Sequence, residues 1–145
     1  MQFTNAIHKW IHYFEIYHHH FQRYVGRECV ILEIGVLHGG SLKMWKDYFG
    51  SKARIIGIDI GSECKKYGED QIEVFIGSQS DRDFLSDLKT KIPKIDILID
   101  DGGHRMEEQI IAFEELFDHV KDDGIYLCED THTSYWDEYG GGLGK

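Results

Sequence analysis

Two acidic stretches hold the residues best suited to chemistry, Asp100-Asp101-Gly102-Gly103-His104 and Glu129-Asp130-Thr131-His132. Each follows an apolar run, Ile95-Asp96-Ile97-Leu98-Ile99 and Gly124-Ile125-Tyr126-Leu127-Cys128, with the character of a strand buried on both faces. Ligands of open α/β sheets bind outside the carboxyl ends of the strands. Two such strands side by side would gather up to four carboxylates in one crevice. Close carboxylates repel and lose hydration, so they coexist by sharing protons or by taking up a cation. A hard dication with oxygen ligands is the simplest solution, and His104, a residue able to act as a base, stands beside them. The competing reading is capping, with Asp100 or Asp101 serving a helix that starts near Met106 and Asp130 serving the amides that follow it.

A second constellation is Glu33-Ile34-Gly35-Val36-Leu37-His38-Gly39-Gly40-Ser41, between an apolar strand and a helix. Gly35 permits a tight turn, Gly39 and Gly40 let backbone approach a ligand, and Ser41 can cap the helix start. Asp59 ends the next strand, where an acid commonly accepts hydrogen bonds from ribose hydroxyls. Gly77-Ser78-Gln79-Ser80-Asp81 then places Ser78 and Gln79 where an adenine edge would lie. With Asp100 they complete a nucleoside-binding set. The spacing is G-x-x-x-G-G, whereas nicotinamide enzymes usually show G-x-G-x-x-G. Glu33 beside the turn disfavours a diphosphate and suits a ligand bearing an ammonium and a sulfonium. An ordinary βα turn with a solvated Asp59 is the plainer alternative.

The elements that must position these residues alternate in type. Trp10, Phe14, Tyr17, Phe21 and Tyr24 recur at intervals of four and three, which predicts an amphipathic helix ending at Gly26. Strands are expected over residues 30–34, 54–59, 72–76, 95–99 and 124–128. Helices are expected on Leu42, Trp45 and Phe49, on Leu85, Leu88 and Ile92, and on Met106, Ile110, Phe113, Phe117 and Val120. Strand alternating with helix predicts an α/β fold, a Rossmann-like doubly wound parallel sheet of order 3-2-1-4-5. Residues 1–26 are expected to be an N-terminal lid or oligomer contact and residues 27–145 the ligand-binding core. The glycine-rich end, Tyr139-Gly140-Gly141-Gly142-Leu143-Gly144-Lys145, leaves the fifth strand as an uncovered edge.

Bulk properties narrow the function classes. The 145 residues suit one core, and 41% apolar with 13% aromatic content excludes a disordered chain. A formal charge of −10 argues against binding a phosphate backbone. Apolar runs stay far below the ~20 residues of a membrane helix, and a cytoplasmic, membrane-free protein is expected. Cys29, Cys64 and Cys128 read as small packing residues rather than a disulfide or soft-metal set. His18-His19-His20 point in different directions on a helix, and His8 and His12 lack the glutamate of the zinc form, having Lys9 in its place.

The glycine turn resembles motif I of class I S-adenosylmethionine-dependent methyltransferases. More narrowly, residues 32–35, Gly40-Ser41-Leu42-Lys43-Met44-Trp45, 99–104 and Glu129-Asp130-Thr131-His132-Thr133-Ser134-Tyr135-Trp136 resemble the metal-dependent sugar O-methyltransferases of macrolide and related pathways. Lys9-Trp10 and residues 12–17 extend the resemblance towards the start of the chain. It implies S-adenosylmethionine and Mg2+ as cofactors, with Asp101, Glu129 and Asp130 as metal ligands and His104 as the base that deprotonates a sugar hydroxyl. Tyr13 and Tyr17 become lid residues over the cofactor, and Tyr135-Trp136 a stacking surface for a sugar. A homo-oligomer is also implied. The wider group includes cephalosporin hydroxylases, and the usual sixth and seventh strands are missing after Lys145. The alternatives are a nicotinamide-dependent oxidoreductase and an inactive S-adenosylmethionine-binding fragment.

Overall fold

Each apolar run of the sequence becomes a strand of one parallel sheet. In the computed structural model, which describes residues 6–142, the strands are β1 Cys29–Ile34, β2 Ala53–Asp59, β3 Ile72–Ile76, β4 Ile95–Asp100 and β5 Val120–Cys128. Their order is β3-β2-β1-β4-β5, as the alternation predicts. All four pairings are parallel, and the register aligns Ile31 with both Ile55 and Ile97, and Asp100 with Cys128. The carboxyl ends of β1, β4 and β5 are therefore level, which brings both acidic corners to one rim. Part of the expected N-terminal unit, residues 1–5, and Leu143-Gly144-Lys145 lie outside the described residues.

Both faces of the sheet are covered. On one face α2, Gly40–Phe49, packs with α1, Tyr13–Phe21. Trp45 and Phe49 of α2 meet Tyr17 and Phe21 of α1, with Tyr17 edge-on to Trp45 at 5.0 Å and Phe21 to Trp45 at 5.8 Å. On the other face α3, Arg82–Lys91, and α4, Met106–Leu116, bury Leu85, Leu88, Ala112 and Leu116 against Leu32, Ile56 and Leu98. Asp81 caps α3 by accepting from the backbone N–H of Asp83 at 3.0 Å and Phe84 at 3.1 Å, a contribution of about 1 kcal/mol.

Three expectations need correction. The N-terminal helix begins only at Tyr13 and continues as a 3-10 turn over Gln22–Tyr24, so Trp10 lies outside it, 60% exposed. The stripe on α4 is not its buried face: Ile110, Phe113 and Phe117 are exposed while Ala112 and Leu116 are fully buried. Phe113 and Phe117 instead gather around Tyr126 of β5, ring to ring at 5.1 and 6.4 Å. Finally, Val120 belongs to β5 rather than to a helix, pairing with Ile95 ahead of a register shift.

Candidate active site

A cavity of about 340 Å3 opens at the rim of the sheet, lined by the ends of β1, β2, β3 and β4 and by His8, Lys9 and Asp130. Its volume falls within the range of small-molecule sites. Among the described residues, three of the four non-glycine residues with left-handed backbone, Leu37, His104 and Asp130, line it. Such conformations cost of order 1–3 kcal/mol and cluster at sites of function.

The β1–α2 turn is shaped by contacts that sequence spacing does not reveal. Gly35 has φ +97°, and a Cβ there would lie 2.1 Å from the Asp101 carbonyl oxygen, so glycine lets the first turn touch the first acidic corner. Gly39, with φ +73°, faces the Tyr67 ring rather than the cavity. Ser41 does line the cavity. Asp59 lies on the wall but is committed to backbone: it accepts from Val36 and Leu37 N–H at 2.8 and 3.0 Å and from Gly61 N–H at 2.8 Å. Burial would push its carboxyl pKa up, and these N–H donors outweigh burial and hold it below the usual value.

Ser78 and Gln79 line the same wall. Gln79 donates to Asp100 at 3.2 Å and accepts from Gly103 N–H at 2.9 Å, which fixes the β3 loop to the β4 corner. Asp100 is fully buried and absent from the cavity lining. Burial raises its pKa to about 6, against the opposing bonds from Gly102 N–H and Gln79. Its role in the structure is to hold the loops, not to face the void.

The two acidic corners do converge. Ligand atoms of Asp101, His104 and Asp130 lie within 4.8 Å of one another, the one such group of three metal-capable side chains among the described residues. His104 Nε2 is 3.7 Å from Asp101 Oδ1 and 3.4 Å from Asp130 Oδ2. His104 Nδ1 is buried without a hydrogen-bond partner. Asp130 Oδ1 accepts from the Tyr13 hydroxyl at 2.8 Å. The two carboxylates offer oxygens that a hard dication accepts, with the imidazole beside them.

Glu129 follows a different course. It is 3% exposed and its carboxylate turns towards the N-terminal segment, where it meets Lys9 at 3.1 and 3.3 Å and takes a short hydrogen bond from the Tyr17 hydroxyl. Lys9 Nζ also contacts Glu33 Oε1 at 2.8 Å and Asp101 Oδ2 at 2.9 Å. Glu33 is fully buried, does not line the cavity, and accepts from Trp45 Nε1 at 2.7 Å on its other oxygen. The ammonium facing Glu33 in this structure is thus the protein's own. Burial would lower the Lys9 pKa, but Glu33, Asp101 and Glu129 overcome it and hold the ammonium charged. One cation shared among several acids does not fully offset the burial of each, and burial still raises Glu33 and Glu129 above the ordinary carboxylate range.

Lys9, Tyr13 and Tyr17 therefore contact the acids of the candidate site, a set that spacing did not single out. Lys9 entered the sequence reading chiefly as the residue that spoils a zinc motif. Its signal is long-range: the partners lie in β1 and beyond β4 and β5, and no local pattern joins them. Tyr135 and Trp136 are exposed, and neither lines the cavity. His18, His19 and His20 are also exposed, and His18 bonds Tyr48 at 3.0 Å.

No family model matches the chain. Among characterised proteins, demethylmacrocin O-methyltransferase of Streptomyces fradiae is 40% identical over 144 residues, covering 92% of this chain and 36% of that protein. The 8-demethyl-8-alpha-L-rhamnosyl tetracenomycin-C 2'-O-methyltransferase of Streptomyces olivaceus is 38% identical over 142 residues, covering 92% and 37%. Among solved structures, the MycE methyltransferase of the mycinamycin biosynthetic pathway, in complex with Mg, SAH and mycinamycin VI, superposes with a TM-score of 0.86 at 36% identity. That match covers 93% of this chain and 36% of the MycE chain. The chain thus spans about a third of the length of the relatives it matches. Its five-stranded sheet is a Rossmann-like methyltransferase fold.

Proposed function

We propose that this chain, a class I methyltransferase fold similar over nine-tenths of its length to macrolide sugar O-methyltransferases, binds S-adenosylmethionine and serves methyl transfer to a hydroxyl of a sugar or glycosylated metabolite. The observation that carries the reading is one cavity with two kinds of wall. Asp59, Ser78 and Gln79 line the part that suits a nucleoside, and Asp101, His104 and Asp130 line the part that suits a cation and an alcohol. The relatives named above support the chemistry: they are O-methyltransferases, one of them named for a rhamnosyl tetracenomycin, and the MycE complex holds Mg and SAH.

The residues fit a divalent ion in part as the structure stands. Asp101 and Asp130 already converge beside His104, which is kept as the base, whereas Glu129 would join only by releasing Lys9 and Tyr17. When bound there, a hard dication lowers the pKa of an acceptor hydroxyl. The chain's own contribution is positioning and proton transfer. The acceptor O–H proton passes to a His104 ring nitrogen, the oxygen attacks the sulfonium methyl carbon, and the C–S bond breaks to leave the thioether. The imidazolium so formed faces two carboxylates, Asp101 and Asp130. Holding acceptor and donor in line removes the entropic cost of their encounter. Cytoplasmic location and self-association accompany this reading; the described helices include none long and apolar enough to cross a membrane.

The test is calorimetry of the 145-residue chain with S-adenosylhomocysteine, with and without Mg2+, beside the Asp101→Ala, Asp130→Ala pair. Binding of S-adenosylhomocysteine with a Mg2+ effect that the double variant abolishes is expected. No heat with either ligand overturns the reading. Binding of NADH instead would favour the oxidoreductase alternative.

A further inference from the structure

We propose that Lys9 is a positioning residue of the acidic corners, setting which carboxylate oxygens are free to meet a divalent cation. The proposal rests on the metal reading above and goes beyond it in assigning a role to a residue outside the sheet. Lys9 precedes α1, yet its side chain is only 1% exposed, and its ammonium sits among three acids from three different strands or strand ends. An ammonium has three donors on a rotatable stem. Here the ammonium donates to Asp101 after β4 and Glu129 after β5 and lies 2.8 Å from Glu33 on β1 as an ion pair. The faces of Tyr17 and Trp45, at 5.6 and 5.8 Å, complete the seat.

The arrangement divides the oxygens of Asp101. Oδ2 is held by Lys9 at 2.9 Å, and Oδ1 points towards His104 and the Asp130 group. The same ammonium draws both oxygens of Glu129 away from that group. A mere anchor for the N-terminal segment would need one such pairing. Lys9 makes contacts that order the rim: it ties β1, β4 and β5 together at their carboxyl ends and presents one Asp101 oxygen to the cavity. Partners that orient ligating side chains typically govern metal affinity by about 10-fold to 100-fold.

Mn2+ titration by electron paramagnetic resonance on the whole 145-residue chain decides the matter, with wild type, Lys9→Met and Lys9→Arg compared and S-adenosylhomocysteine affinity measured alongside. Lys9→Met is expected to weaken Mn2+ binding by roughly 10-fold to 100-fold and S-adenosylhomocysteine binding by far less. Lys9→Arg keeps the charge in a different donor geometry and is expected to fall between the two. Mn2+ affinity that is unchanged or tighter in Lys9→Met overturns the proposal, because the ammonium is then an anchor or a competitor. Parallel loss of both ligands also overturns it, as general disruption. Should Lys9→Met not fold, wild-type Mn2+ affinity in Lys9→Arg overturns the proposal and an intermediate value supports it. A wild-type chain that binds S-adenosylhomocysteine but no Mn2+ overturns the metal reading itself, and this proposal with it.

Discussion

Beyond the Lys9 ammonium that Glu33 and Glu129 share, each buried acid of the rim has a partner of its own. These are Trp45 for Glu33, Tyr17 for Glu129 and Gln79 for Asp100, and they can be tested one residue at a time. Tyr17 donates to Glu129 from within the aromatic cluster. Tyr17→Phe keeps the ring and removes the donor, leaving a buried carboxylate less satisfied. A loss of about 1–3 kcal/mol in urea unfolding is expected. The three thiols make a second test. Burial pushes Cys29 and Cys64 up to about 11 and Cys128 up to about 12, so all three stay protonated at neutral pH. The native chain should react slowly with a disulfide reagent at pH 8, with three thiols appearing once it is unfolded in urea. The stability linked to these raised values is complete below the ordinary thiol value of 9.0 and is lost as pH rises through about 11 to 12. Thermal midpoints should therefore fall on that alkaline side. Rapid labelling at pH 8 would show that the packing assigned to these residues is wrong.

Among the elements, the β1–α2 turn makes the strictest demand on sequence. It must hold the Asp101 backbone at contact distance, and Gly35 alone leaves room. Gly35→Ala meets a positive φ and a backbone carbonyl that cannot yield. The combined strain and crowding should cost on the order of 2–5 kcal/mol, and S-adenosylhomocysteine binding should fall with stability. An alanine variant that melts like the wild type would show that this turn moves freely. The start of α3 is a milder case: Asp81→Ala removes a cap that serves two N–H groups. About 1 kcal/mol should be lost, with no effect on the rim beyond it.

For the molecule as a whole, the two faces of the sheet are not equally enclosed. Phe49 is fully buried between α1 and α2, whereas Phe117 is 54% exposed beside β5. Phe49→Ala should cost about 3–5 kcal/mol as a cavity in a close-packed layer. Phe117→Ser should cost under about 1 kcal/mol, while reducing the binding of a hydrophobic dye to the Phe113–Phe117–Tyr126 patch. Equal losses in the two variants would contradict the asymmetry of burial. The N-terminal segment adds a link across the molecule: through Lys9, Tyr13 and Tyr17 it reaches both acidic corners. The site is thus assembled from the whole chain, and the sheet supplies only its floor.

By itself the sequence determined the alternation of strand and helix, the strand order, and the presence of acids at the carboxyl ends of β4 and β5. Those features rest on local periodicity and on topological rules that hold for any sheet of this type. Tertiary structure decided which oxygens meet. Asp101 and Asp130 converge with His104, while Glu129 and Glu33 turn to an ammonium from before α1. It also decided that Gly39 packs on Tyr67 and that the aromatic stripe of α4 faces outward. The physical reason is common to all of these. Side-chain direction at a strand end, and the choice of partner for a buried charge, depend on groups distant in sequence, which no local spacing encodes.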